Sequence, residues 1–132
     1  MDKIRNIKIL ILEDDLETVE RILEILRVTE AEKNVVFGVT VLPDYIQTEE
    51  FINKNPQIKF DILLLDRDCF LGGSFHVVNL DNFDKDKVIS ISSVPEWNSR
   101  AKQMGVKRVV YKDYQDLEYF AISLKKEILR LI

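Results

Sequence analysis

Phe60-Asp61-Ile62-Leu63-Leu64-Leu65-Asp66 is the stretch whose reading decides the fold. Ile62 to Leu65 is an unbroken apolar run bounded by Asp61 and Asp66. A run of this kind predicts a strand buried on both faces of a parallel sheet. It ends abruptly on Asp66, and the carboxyl end of a central strand is where open α/β sheets place their chemistry.

Toward the N-terminus, Ile7 to Leu12 reads as a strand interrupted only by Lys8 and ending on Glu13-Asp14-Asp15. A helix is predicted next, with Leu16, Val19, Ile22, Leu23 and Leu26 on one stripe. Acids at its start suit the positive end of the helix dipole. Val35 to Leu42 is the second predicted strand, with Gly38 inside it and Pro43-Asp44 ending it. Tyr45 to Asn55 is a helix of mixed periodicity, stopped at Asn55-Pro56.

Toward the C-terminus, Arg67 to Ser74 is a predicted loop carrying Gly72-Gly73, and Phe75 to Phe83 a short helix. Asp84 to Asp86 is a turn. Val88 to Ile91 is the fourth strand and ends on Ser92-Ser93. Glu96 to Met104 is a helix with Pro95 near its start and Gly105 as its cap. Arg108 to Tyr111 is the fifth strand, ending on Lys112. Leu117, Phe120, Ala121, Leu124, Ile128 and Leu131 mark a long amphipathic helix, and Ile122, Leu129 and Ile132 widen its apolar face.

Five strands alternating with five helices predict an α/β fold, a parallel sheet with helices on both faces and right-handed crossovers. The expected order is the flavodoxin-like 2-1-3-4-5, whose switch point lies between the first and third strands. That order sets Glu13, Asp14 and Asp66 side by side. Ser92 and Lys112 then line the next two strand ends on the same edge.

The length, 132 residues, predicts one domain spanning 1–132. The composition, 46% hydrophobic and 32% charged, is that of a globular protein. The net charge of -4 argues against a general nucleic-acid or membrane-surface binder, which would carry a basic stripe. With Cys69 as the one cysteine, no internal disulfide is available, which fits a reducing compartment. No signal-peptide-like apolar segment opens the sequence and no run approaches a membrane span, so the expected location is the cytoplasm.

The ordered set of strand ends resembles the receiver domain of bacterial response regulators. The resemblance rests on Ile-Leu-Ile-Leu-Glu13-Asp14-Asp15, Ile-Leu-Leu-Leu-Asp66, Val-Ile-Ser-Ile-Ser92-Ser93 and Gly105…Val-Val-Tyr-Lys112-Asp113, and covers nearly the whole chain. It implies roles by position. Asp66 resembles the phospho-accepting aspartate, Asp14 the direct Mg²⁺ ligand, and Glu13 the residue that holds the metal through water. Asp68 matches the position whose backbone carbonyl completes the metal site. Ser92 matches the hydroxyl that binds the phosphoryl group, and Lys112 the lysine that pairs with it. The resemblance further implies a stand-alone receiver in a two-component phosphorelay. A histidine kinase or phosphotransfer protein would phosphorylate it, and it would act on a protein target through the surface near the fifth strand and its flanking helices. It would be a monomer or weak homodimer, with no enzymatic turnover beyond its own phosphorylation and dephosphorylation.

The residues support that chemistry independently. Clustered carboxylates raise one another's pKa unless a cation neutralises them. Mg²⁺ takes oxygen ligands and keeps several waters. A carboxylate nucleophile gives a labile acyl phosphate, with cationic groups offsetting the developing charge.

The sequence departs from the family pattern at several points. Cys69-Phe70 stands where Met-Pro is usual, Val109 where an aromatic is usual, and Asp113 where proline follows the lysine. Val109 and the altered loop favour a second reading, a pseudo-receiver that binds partners without phosphorylation, against which stand the retained acidic triad and Lys112. A third reading takes Asp66-Arg67-Asp68 as the Asp-x-Asp start of a haloacid-dehalogenase-like phosphatase, but leaves Glu13 and Asp14 without a role. Asp68 reads as a solvated loop acid, Cys69 as a small hydrophobe, and His76 as a structural or surface residue.

Overall fold

The first strand, β1 (Arg5–Leu12), starts ahead of its apolar run because Arg5 and Asn6 already pair with Val35 and Val36 of β2 (Val35–Leu42). The computed structural model describes residues 4–68 and 83–132. Between these two strands lies α1 (Leu16–Lys33). The chain continues through α2 (Tyr45–Lys54), β3 (Ile62–Asp66), β4 (Val88–Ser92), α3 (Pro95–Gln103), β5 (Arg108–Tyr111) and α4 (Leu117–Leu131). A short 3₁₀ turn, Lys85–Lys87, leads into β4 where a simple turn was expected.

The sheet is wholly parallel and ordered β2-β1-β3-β4-β5, the order expected from the sequence. β3 and β4 are buried at every position, as continuous apolar runs flanked by other strands require. The register matches Leu12 with Leu65, Asp66 with Ile91, and Ser92 with Tyr111. Glu13, Asp66, Ser92 and Lys112 therefore reach the same edge of the sheet.

Alternate residues of each strand feed two apolar layers. Ile9, Ile11, Ile62, Leu64, Ile89 and Val110 pack against Ile22 and Leu26 of α1 and Phe120, Leu124 and Ile128 of α4. Leu10, Leu12, Leu63, Leu65 and Val88 pack on the other face with Ala101 of α3, and Phe51 and Ile52 of α2 lie against that layer. Helices thus cover both faces, four of them among the described residues, two to each side. The expected helix over Phe75 to Phe83, the loop glycines Gly72 and Gly73, Cys69 and His76 fall outside the described residues, Phe83 apart.

Among the described residues, two positions need backbone freedom. Asn34, at φ 54°, closes α1 and turns the chain directly into β2, a left-handed conformation that asparagine tolerates. Gly105, at φ 104°, closes the turn after α3.

The apolar stripe of α1 differs from its expected composition. Leu16 is 81% exposed and Leu23 40%, whereas Thr18 and Thr29 are buried with Ile22 and Leu26. Both threonines satisfy their hydroxyls locally. Thr18 donates to Asp15 Oδ2 at 2.5 Å and Thr29 to the Ile25 carbonyl at 2.7 Å, so burying them leaves no polar group unpaired. On α4, Ile122 is exposed rather than part of the packed face.

Candidate functional site

Four strand ends and the turns after them build the site. β1 delivers Glu13, Asp14 and Asp15; β3 delivers Asp66 and leads into Asp68; β4 ends on Ser92; β5 leads into Lys112. Each element carries its share for a local reason. Asp15 accepts from the Thr18 amide and caps α1, so the chain must turn sharply at Glu13-Asp14. The Glu13 carboxylate accepts the amides of Asp14 at 3.0 Å and Asp15 at 3.1 Å and holds that turn in place.

Lys112 is the centre of the arrangement. Its ammonium is fully buried, 3.0 Å from Glu13 Oε1, 3.1 Å from Asp66 Oδ1 and 3.8 Å from Asp68 Oδ2. The Tyr114 ring lies 4.8 Å from the same nitrogen, close enough for a cation–π contact. Lys112 also donates its backbone amide to the Ser92 carbonyl at 2.9 Å, which extends the β4–β5 ladder up to the lysine itself.

Asp68 is not the solvated loop acid expected from the sequence. It is 5% exposed. Its carboxylate accepts the Ser92 hydroxyl at 2.5 Å on Oδ1 and the Ser93 amide at 2.6 Å on Oδ2. Its own amide donates to Asp66 Oδ1 at 3.0 Å. The sharp turn through Arg67 brings the two carboxylates to the same side.

The electrostatics follow from three buried carboxylates around one buried ammonium. Burial, and then the neighbouring Asp66, push Glu13 up, with Lys112 acting in the opposite sense. Burial likewise raises Asp66 despite Lys112. Burial works against the charge on Lys112, but Asp66 and Glu13 outweigh it and its pKa is raised. Lys112 is therefore a fixed cation, and the carboxylates around it outnumber it.

Glu13, Asp14 and Asp66 can each offer a carboxylate oxygen within 4.8 Å of the others, a set that fits a hard divalent cation. Both Glu13 oxygens are engaged by Lys112 and the two turn amides. Asp66 Oδ1 is engaged as well, by Lys112 at 3.1 Å and the Asp68 amide at 3.0 Å.

All six residues singled out from the sequence, Glu13, Asp14, Asp66, Asp68, Ser92 and Lys112, lie at this one edge of the sheet. Two buried residues escaped sequence reasoning. Asn98 accepts the Ser90 hydroxyl at 2.9 Å and donates to the Val110 carbonyl at 3.0 Å, bracing β4 against β5 behind the site. Its only signal was an amide on the inward stripe of α3. Arg67 is fully buried beside Asp66, and its amide donates to the Ile91 carbonyl at 2.8 Å.

No family model matches the sequence, and no curated protein does. Solved structures do match its fold. The phosphorylated cyanobacterial phytochrome response regulator RcpA superposes with a TM-score of 0.74 at 18% identity, over 93% of this chain and 91% of RcpA. The Mn²⁺-bound response regulator Rcp1 gives 0.72 at 16% identity, over 94% of each chain. A receiver domain from Rhodospirillum rubrum gives 0.71 at 14% identity, over 92% of this chain and 93% of that one. The fold is that of response-regulator receiver domains.

Proposed function

We propose that this chain is a single-domain receiver switch of two-component signalling, phosphorylated on Asp66 with Mg²⁺ bound at Glu13, Asp14 and Asp66. The observation that carries the reading is the Lys112 ammonium 3.1 Å from Asp66 Oδ1, beside a three-carboxylate cluster. RcpA, which shares the fold, is known in a phosphorylated form and Rcp1 in a Mn²⁺-bound form.

Asp66 attacks the phosphorus of a phosphohistidine or small acyl phosphate. The oxygen–phosphorus bond forms as the bond to the donor breaks, and the donor departs with the electron pair. Lys112 offsets the added negative charge, and Ser92 offers its hydroxyl to a phosphoryl oxygen. Bound Mg²⁺ would supply charge neutralisation and a template for the transferring oxygens. The backbone carbonyl of Asp68 is the remaining protein ligand in this reading.

The donor is a histidine kinase or phosphotransfer protein in the cytoplasm. The readout is a change in affinity for a protein target at α3, β5 and α4, where Tyr111, Tyr119 and Ile122 are exposed. One observation favours the pseudo-receiver as a second reading: Asp68 already engages Ser92 and Ser93.

Intact mass after incubation with acetyl phosphate and Mg²⁺ tests the proposal. A phosphoryl increment is expected on the wild type and not on Asp66→Asn. An increment on both overturns the assignment of Asp66, and an increment on neither transfers support to the second reading.

A further inference from the structure

We infer that the Asp68 carboxylate is an internal anion seated in the cradle that a phosphoryl group on Asp66 would need, and that phosphorylation must displace it. Two hydrogen-bond donors and one cation, from two different strand ends, converge on this one carboxylate. The Ser92 hydroxyl and the Ser93 amide come from the end of β4, at 2.5 Å and 2.6 Å. The Lys112 ammonium comes from the end of β5, at 3.8 Å. A hydroxyl, a backbone amide and an ammonium facing one point form an anion-binding set.

The occupant is placed to compete. The Asp68 amide is bonded to Asp66 Oδ1, and the same ammonium stands 3.1 Å from Asp66 and 3.8 Å from Asp68. A phosphoryl group growing from Asp66 toward Lys112 would approach Asp68 as a like charge. It would also find Ser92 and Ser93 already donating elsewhere. The site cannot seat both anions on the same donors.

Two consequences follow. The turn after β4 is held by an anion before any phosphoryl group arrives, so its ligand-engaged arrangement is preset. Phosphoryl transfer is slowed by the need to move Asp68 out. The second consequence rests on Asp66 accepting a phosphoryl group; the seating of Asp68 does not.

Two measurements on the full chain separate these points. In phosphate-free buffer, the Ser93 amide proton resonance is expected downfield in the wild type and shifted upfield in Asp68→Ala. With acetyl phosphate and Mg²⁺, Asp68→Ala is expected to gain the phosphoryl increment about tenfold faster, the factor that corresponds to losing one competing interaction of about 1.4 kcal/mol. Asp68→Val, which removes both acceptor oxygens and keeps a side chain of similar bulk, replaces the alanine variant if that one does not fold. A Ser93 resonance unmoved by the substitution overturns the inference. A moved resonance with an unchanged or slower labelling rate overturns the competition. Absence of labelling in every variant removes the phospho-acceptor reading, and the Ser93 resonance alone then decides whether Asp68 fills the cradle.

Discussion

Lys112 and Glu13, 99 positions apart in sequence, meet at 3.0 Å with both side chains shut off from water. The pair joins the first strand end to the last across the whole width of the site. Removing one member of a buried pair costs more than the pair contributes, because it strands the other charge.

Lys112→Ala should therefore destabilise the metal-free protein by about 3 kcal/mol above a pH of about 9, where Glu13 is ionised and, with Asp66, is left without its cation. Urea unfolding followed by circular dichroism measures this. Part of the loss should return at low pH, where the carboxylates take up protons instead.

The pH dependence of stability has a definite sign. Glu13 rises from 4.5 to about 9 in the folded chain, chiefly through burial and then through Asp66. The folded state holds this proton more tightly than the unfolded chain does. Its stabilisation is complete below pH 4.5 and is lost as pH rises through about 9. Thermal melts of the metal-free protein should show Tm falling across that window, and Glu13→Gln should flatten the fall.

A divalent cation should act as a ligand of the folded state alone. Mg²⁺ at 100 times its Kd should add about 2.7 kcal/mol of stability, and the gain should vanish in Asp14→Asn. Thermal melts over a Mg²⁺ titration check both. Saturating Mg²⁺ should also weaken the pH dependence attributed to Glu13, since metal and proton compensate the same excess charge.

Asn98→Ala should cost about 1–3 kcal/mol, because it leaves the Ser90 hydroxyl and the Val110 carbonyl buried without their partner. Because Asn98 braces the strands that carry Ser92 and Lys112, the variant should also slow phosphoryl uptake while Asp66 remains intact. Denaturant unfolding and time-resolved intact mass report the two effects separately.

The sheet was legible because burial on both faces forces unbroken apolar runs, as in Ile62 to Leu65, and each run stops where polar groups begin. Strand order then follows from alternation with helices, and the order alone brings Glu13, Asp66, Ser92 and Lys112 together. The face of α1 was less legible. Leu16 and Leu23 have the right chemistry for burial, but threonines with locally satisfied hydroxyls take the inward positions. The orientation of Asp68 was not legible at all. It depends on the path of the Asp66-Arg67-Asp68 turn, and an acid two positions past a strand end looks the same whether it faces solvent or Ser92. Asn98 was hidden likewise, since its partners Ser90 and Val110 lie on two strands outside its helix.

Before β3 begins, Asp61 accepts the Lys8 amide on its side chain and donates its own amide to the Lys8 carbonyl, both at 2.8 Å. This small clamp bears on how the chain folds. Pairing β3 with β1 closes a loop of more than fifty residues, a non-local step of the kind that slows folding. A slip by one residue would turn every β3 side chain to the opposite face and carry Asp66 away from Lys112. Such a slip would also leave the Lys8 amide without the Asp61 carboxylate. The clamp acts as a proofreading contact: the far end of the strand rewards only the alignment in which the charged end comes out right.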